Sequence, residues 1–426
     1  MRIVLLSMNY APEMTGIGKY SGEMAEDLVD RGHEVHVVCA PPYYPSWKVQ
    51  AGYSAGRYQT QRVRDGLTVH RCPVWIPSRL GGLTRLLHLA SFALSSFPVL
   101  LRLVLWQPHL VFAVAPAFVC APFAWVTARL AGARAWLHMQ DLEVDAAFEL
   151  GMLRQPLMRR LALAVERFVL RRFDVVSTIS SRMMRKLAVK GLPLHETEFL
   201  PNWVDGTAIH AGASGSALRQ QLDISASQVV CLFSGTMNRK QGLPVLIEAA
   251  RRMQHDPRVV FVLCGNGELR PELEALAEGM HNVRFLDLQP VSGLNALLNM
   301  ADVHLLPQLR GAADLVMPSK LAGMLASGRP VVAASQANTE IASIVGGCGI
   351  VIEPECADSF ARAIGELAGD GDMRQRLGEA GRAYAVQVLD ARKVFDRLES
   401  RLLGFAEEGT SMTGATVSPA PETSAT

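Results

Sequence analysis

Short apolar runs alternate with stretches of helical spacing along nearly the whole chain. In the first part, strands are expected at residues 3–8, 34–39, 68–72, 110–114, 135–138 and 175–179. In the second they are expected at 229–233, 259–263, 283–286, 303–306, 331–334 and 350–352. Most of these runs are continuously apolar rather than alternating, as parallel strands covered on both faces require. Two successive sets of such units imply two doubly wound α/β domains rather than one barrel. A Gly-, Ala- and Ser-rich stretch at 206–216 reads as the linker, giving domains over 1–205 and 206–389, and the Ser/Thr/Ala/Pro-rich tail at 407–426 reads as disordered. Ligands of open parallel sheets bind beyond the carboxyl ends of the strands, so chemistry is sought in the loops there, in a cleft between the two domains.

Three segments add to this pattern. Residues 110–128 carry no formal charge and approach the length of a membrane span, but Pro116 and Pro122 divide them, which fits a buried strand followed by a buried helix. Residues 153–173 place Leu157, Leu161, Val165 and Phe168 at helical spacing among Arg154, Arg159, Arg160, Arg167, Arg171 and Arg172. Such a basic amphipathic helix either packs on a sheet or lies on an anionic membrane surface. The apolar run at 83–105, broken by Arg85, His88 and Arg102, adds to the membrane-surface reading.

Composition narrows the class. Apolar residues make up 49% and charged residues 19%, the balance of a packed protein and not of a disordered one. The formal charge of +2 excludes a nucleic-acid binder that works by bulk positive charge. That near-neutrality is a cancellation: residues 1–205 carry 23 Lys+Arg against 16 Asp+Glu, and the remainder 19 against 24. Only seven of the 42 cations are lysines, so each lysine is unusual. Seven scattered cysteines without a C-x-x-C point to reduced thiols, not to a disulfide framework or a zinc site. The N-terminus, interrupted after Leu6, is too short for a signal peptide.

Five loops could carry chemistry. Gly16 and Gly18 follow the first strand and open a helix, where backbone amides suit an anion, although G-x-G alone is a weak sign of a dinucleotide. Gly235 to Gly242 places Arg239 and Lys240 between a strand and a helix, where a diphosphate could sit. Gly265 and Gly267 form a second close-approach pair, and Pro318-Ser319-Lys320 reads as a helix start whose amides would face an anion. In the first domain, His138 and Asp141 end a strand at the cleft edge, where an exposed imidazole and a carboxylate could orient a hydroxyl or stabilise developing charge. No His/Asp/Glu cluster has metal-ligand spacing. His33 and His36 point to different faces, and Asp370 and Asp372 lie between helical segments.

The order Gly16-Ile17-Gly18-Lys19-Tyr20, Arg31-Gly32-His33-Glu34-Val35, Pro201-Asn202-Trp203-Val204-Asp205, Lys240-Gln241-Gly242, Gly265-Asn266-Gly267 and Ala326-Ser327-Gly328-Arg329-Pro330 resembles glycosyltransferase family 4 over about residues 1–405. More narrowly, Ala40-Pro41-Pro42-Tyr43-Tyr44-Pro45, His138-Met139-Gln140-Asp141 and Pro318-Ser319-Lys320-Leu321 resemble its members that build colanic acid-like exopolysaccharide. The resemblance implies a GT-B fold, two Rossmann-like domains facing across a cleft, with residues 390–405 crossing back onto the first. It implies metal-independent transfer of a sugar, with retained configuration, from a nucleotide-sugar such as GDP-fucose to a lipid-linked glycan. With the basic balance of residues 1–205 and the Arg-rich helix, the expectation is a cytoplasmic enzyme held peripherally on the inner face of the membrane, with no cofactor.

Residue by residue, the resemblance implies that Gly16 and Gly18 approach the donor phosphates and that Lys240, with Arg239, neutralises the leaving diphosphate. Gly265 and Gly267 would border the nucleotide, Ser319 and Lys320 would hold the diphosphate, and His138 and Asp141 would contact the transferred sugar or the acceptor. Glu340 is a further donor-side candidate. The chain departs from the family where two glutamates usually stand eight apart, because Leu315, beside Asp314, and Gly323 occupy those positions. Two other readings share these features: a nucleotide-sugar epimerase of similar build, and a non-catalytic nucleotide-sugar-binding assembly protein. Release of nucleoside diphosphate only when acceptor is present separates a transferase from both.

Overall fold

The computed structural model describes residues 1–13, 16–79, 81–115, 118–145, 155–310 and 318–413. The first sheet contains β1 (Arg2–Ser7), β2 (Glu34–Cys39), β3 (Gln59–Arg64), β4 (Leu67–Arg71), β5 (Leu110–Ala115), β6 (Arg134–Met139), β7 (Val175–Thr178) and β8 (Thr197–Phe199). Their spatial order is β3-β4-β2-β1-β5-β6-β7-β8, parallel except for the β3–β4 hairpin. The second sheet contains β9 (Val229–Ser234), β10 (Val259–Cys264), β11 (Val283–Leu286), β12 (Val303–Leu306), β13 (Val331–Ala334) and β14 (Gly349–Ile352), ordered β11-β10-β9-β12-β13-β14 and wholly parallel.

In both sheets the chain winds outward from a central strand, then returns and winds the other way. This is the doubly wound topology, whose ligand crevice opens where the strand order reverses. The reversal lies between β1 and β5 in the first sheet and between β9 and β12 in the second. The loops holding Gly16, Gly235 and Lys320 therefore sit at switch points.

The residues of the central strands are almost all buried, and they form cores on both faces of each sheet. The Ala391–Thr413 helix lies on the first domain, where Val394, Phe395, Leu398, Leu402 and Phe405 share a core with Ile3, Leu5, Phe112 and Trp136. Buried His33 fixes it there: Nδ1 is 2.8 Å from the N-terminal amine and Nε2 is 2.8 Å from Glu399 Oε2. The chain crosses between domains twice, and the crossings pair at Val204 and Asp390.

Helix Ala391–Thr413 continues through 407–413, where the sequence reads as a disordered tail; residues 414–426 lie outside the described residues. Pro116, Leu153, Arg154 and residues 311–317 also lie outside them. The uncharged 110–128 stretch forms β5 and the start of the Ala121–Ala131 helix. Asp370 is occupied as a helix N-cap, accepting from Met373 N at 2.8 Å.

Candidate active site

The second domain brings three expected loops together at the β9/β12 switch point. Gly235 N donates to Cys264 O at 3.0 Å, Met237 N to Asn266 O at 2.9 Å, and Leu269 N to Met237 O at 3.0 Å. These bonds zip the loop after β9 to the loop after β10. A Cβ on Gly265 would stand 1.9 Å from Gly235 O, and one on Gly267 would stand 2.3 Å from Met237 O. Both glycines have φ near +150°, so their first role is close approach of two backbones rather than room for a ligand.

Lys320, the first residue of the Lys320–Ala326 helix, reaches back over this platform. Its Nζ donates to Gln241 Oε1 at 3.2 Å and lies 4.2 Å from the centroid of the Phe233 ring. Among the described residues no carboxylate pairs with it. Burial pulls the ammonium down to about pKa 7, because a cation loses hydration there and gains no ion pair. A half-buried cation held by an amide and an aromatic face is poised for an arriving anion.

Several expected donor contacts are used differently. The Arg239 guanidinium is largely exposed and bonds Glu272 Oε2 at 3.0 Å, so it is not gathered with Lys320. The side chain of Lys240 lies outside the described residues. The Glu340 carboxylate lies near Pro318 and Ser319 and accepts from Ser181 N at 3.3 Å and Arg182 N at 3.1 Å, in the first domain. It supplies the acceptors that the first amides of the Ser181–Val189 helix lack, while Ser180 Oγ takes the next, Met183 N, at 3.1 Å. Ser319 is exposed, and its side chain meets the Tyr20 hydroxyl across the cleft.

In the first domain, Gly16 has φ 60° and open space where a Cβ would stand. Gly18 makes room for another residue: a Cβ there would lie 2.6 Å from Glu13 Cβ. Buried Glu13 accepts from Tyr43 N and Tyr44 N, each at 2.9 Å, and from Asn9 Nδ2 at 2.9 Å. It ties the β1 loop to the β2 loop. Burial raises its pKa against these hydrogen bonds. Sequence reasoning missed Glu13; a lone carboxylate between Pro12 and the glycine loop was the available signal.

His138 is not exposed, as the sequence suggested, but only 3% accessible. Its Nδ1 lies 2.9 Å from Ser177 Oγ, which also accepts from Trp136 Nε1 at 2.7 Å. Ser177 has no other acceptor for its hydroxyl proton among the described residues, so that proton is directed to Nδ1, which leaves Nε2–H as the donor of the ring. Burial holds the imidazole neutral, pulling its pKa down to about 3. Asp141 is pushed up to about 6 by burial, against the attraction of Arg85. Its neighbour Glu143 is pushed up to about 7, with Oε2 accepting from Phe118 N at 3.0 Å. This edge of the first domain thus offers carboxyl groups that take up or release protons near neutral pH.

Two doubly wound Rossmann-like sheets, each with its switch-point loops, are the build of a GT-B glycosyltransferase. Residues 15–203 match the glycosyl transferase 4-like domain and residues 228–370 match glycosyl transferases group 1, and the chain belongs to this family of glycosyltransferases. It is 41% identical over 414 residues to WcaI of Escherichia coli (strain K12), named as a colanic acid biosynthesis glycosyl transferase, with 95% of this chain and 100% of that protein covered. It is 26% identical, over 95% of its own length and 99% of the other's, to the GDP-mannose-dependent alpha-(1-6)-phosphatidylinositol monomannoside mannosyltransferase of Mycolicibacterium smegmatis. Among solved structures, sucrose-phosphate synthase from Thermosynechococcus elongatus shares the fold with a TM-score of 0.72 at 16% identity, covering 95% of this chain and 99% of that one.

Proposed function

We propose that this glycosyltransferase moves a sugar, with retention and without a metal, from a GDP-linked donor such as GDP-fucose to a lipid-linked glycan in colanic acid-like exopolysaccharide synthesis. The observation that carries this reading is the convergence of Lys320, Gln241 and the Gly235 and Gly265 loops at one switch point. In the transfer, the bond from the anomeric carbon to the diphosphate oxygen breaks, and the acceptor oxygen bonds to that carbon. The nucleoside diphosphate leaves, and the hydroxyl proton of the acceptor is released. The Lys320 ammonium, with Lys240, offsets charge building on the leaving diphosphate, which is the main electrostatic task of the step.

His138 Nε2–H donates to a sugar oxygen, and the Asp141 carboxylate accepts from an acceptor hydroxyl. Two relatives support the setting, since one is named for colanic acid biosynthesis and the other for GDP-mannose dependence. A place on the inner face of the cytoplasmic membrane is supported by the Pro156–Leu170 helix, whose Leu157, Leu161, Val165 and Phe168 are all exposed rather than packed on the sheet.

The test incubates the enzyme with GDP-, UDP- and dTDP-sugars, with and without lipid-linked acceptor, reading free nucleoside diphosphate and glycolipid mass. Acceptor-dependent release with a GDP-sugar is expected. Release only from UDP- or dTDP-sugars would overturn the donor assignment, and conversion of the sugar without acceptor would indicate an epimerase.

A further inference from the structure

A cavity of about 650 Å³ lies in the first domain between the Pro156–Leu170 and Ser181–Val189 helices. It is lined by none of the donor-side residues. Six of its ten lining residues are Arg or Lys, including Arg167, Arg185, Lys186 and Lys190, and one is acidic. That carboxylate, Asp145, together with buried Glu166, is already paired with Lys190, the Glu166 contact measuring 2.7 Å. Arg167, Arg185 and Lys186 have no carboxylate within ion-pair distance among the described residues. Like charges held around one hollow repel each other unless an external anion enters. The void is much larger than a single phosphate requires and falls in the range of pockets that enclose sizeable ligands.

The character of its rim narrows the ligand further. On the Pro156–Leu170 helix, Leu163 and Ala164 line the cavity, while the neighbouring face carries exposed Leu157, Leu161, Val165 and Phe168. A cationic hollow beside an outward apolar stripe matches a phosphorylated headgroup with a hydrocarbon tail. The Ser181–Val189 helix begins at the cleft, where Glu340 of the second domain holds its first amides. A glycan carried on the headgroup therefore has a short route to the transfer site.

We propose that this cavity binds the diphosphate of a lipid-linked acceptor, with Arg167, Arg185 and Lys186 on the phosphates and the lipid chain along the apolar stripe. The assignment rests on the transferase reading for its lipid-linked acceptor.

The test is co-sedimentation of the full chain with phosphatidylcholine vesicles containing polyprenyl diphosphate, against vesicles with phosphatidylglycerol at matched surface charge. Wild type is expected to prefer the diphosphate lipid and to be displaced by inorganic pyrophosphate. Arg185→Gln with Lys186→Gln is expected to weaken that binding by about tenfold or more. Equal binding to both vesicles, or unaltered binding by the variant, would overturn the assignment. Nucleotide-sugar transfer by wild type, measured on the same preparation, separates the two failures. Transfer with unaltered variant binding sinks the cavity alone, and absence of transfer sinks the functional reading.

Discussion

Lys320 carries the most specific electrostatics in the molecule. Its folded pKa, about 7, lies below the ordinary lysine value of 10.5. The unfolded chain therefore binds more protons between those values, and this residue makes stability rise with pH across that window. Below about pH 7 the buried charge is present and costs stability without a ligand, whereas with a diphosphate bound it is compensated. Lys320→Met is thus expected to raise the melting temperature of the free protein at pH 6 and to lack the stabilisation by GDP expected of wild type, as read by thermal shift. For wild type, affinity for GDP should fall as pH rises through about 7, as the ammonium is lost. A variant that melts lower and keeps its GDP response would remove Lys320 from the site.

His138 poses a different question, because its tautomer depends on Ser177. Ser177→Ala removes the partner of both Nδ1 and the Trp136 indole. Turnover is expected to fall by about tenfold with little change in donor KM, and Ser177→Thr should restore much of it. An unchanged kcat would mean that the ring orientation is irrelevant to transfer.

Among the elements, the strands of both sheets were legible because burial on both faces leaves an apolar run that little else produces. Two strands were not. β3 reads Gln59-Thr60-Gln61-Arg62-Val63-Arg64 and is exposed throughout, an edge hairpin with no core face. β8 is three residues long. The glycine loops were legible for a similar reason, as few sequences place glycine pairs after strands. What they approach was not legible, since Gly18 meets Glu13 and Gly265 meets Gly235 only once the chain is folded. The partners of Glu340 were not legible either, because they lie 158 and 159 residues away, in the other domain. Gly265→Ala places a Cβ on the Gly235 carbonyl and is expected to cost about 1–3 kcal/mol and to impair nucleotide binding, read by denaturant unfolding and calorimetry. Glu340→Ala removes the interdomain cap while Ser180 remains. Scattering should then report a larger radius of gyration in the absence of donor, and equal radii would count against a closing role.

At the scale of the whole molecule, the two domains differ in what they expose. Among the described residues, the first domain presents Leu83, Leu86, Leu87, Leu94 and Leu101 on the Gly82–Val104 helix and Leu157, Leu161, Val165 and Phe168 on the Pro156–Leu170 helix. The Gly82–Val104 helix is long and apolar enough to cross a membrane, yet His88, Phe92, Ser96, Leu100 and Leu103 are buried in the domain. Its remaining face suits an interface better than a span. Arg172 stacks on Phe168 at 4.4 Å and on Trp125 at 5.5 Å, placing a cation beside the apolar stripe. The second domain has few exposed large apolar residues and is joined to the first by the paired crossings at Val204 and Asp390. A membrane that binds this chain is expected to meet the first domain, through these exposed stripes. Flotation tests this arrangement. Wild type should rise with vesicles containing phosphatidylglycerol and be partly released by salt. Leu161→Ser with Phe168→Ser should weaken binding by about tenfold or more, since each large apolar side chain contributes roughly 1.5–3 kcal/mol when fully buried. Salt should not restore the loss, because the apolar contribution is independent of screening. If the double variant floats as well as wild type, the exposed stripe is not the membrane contact.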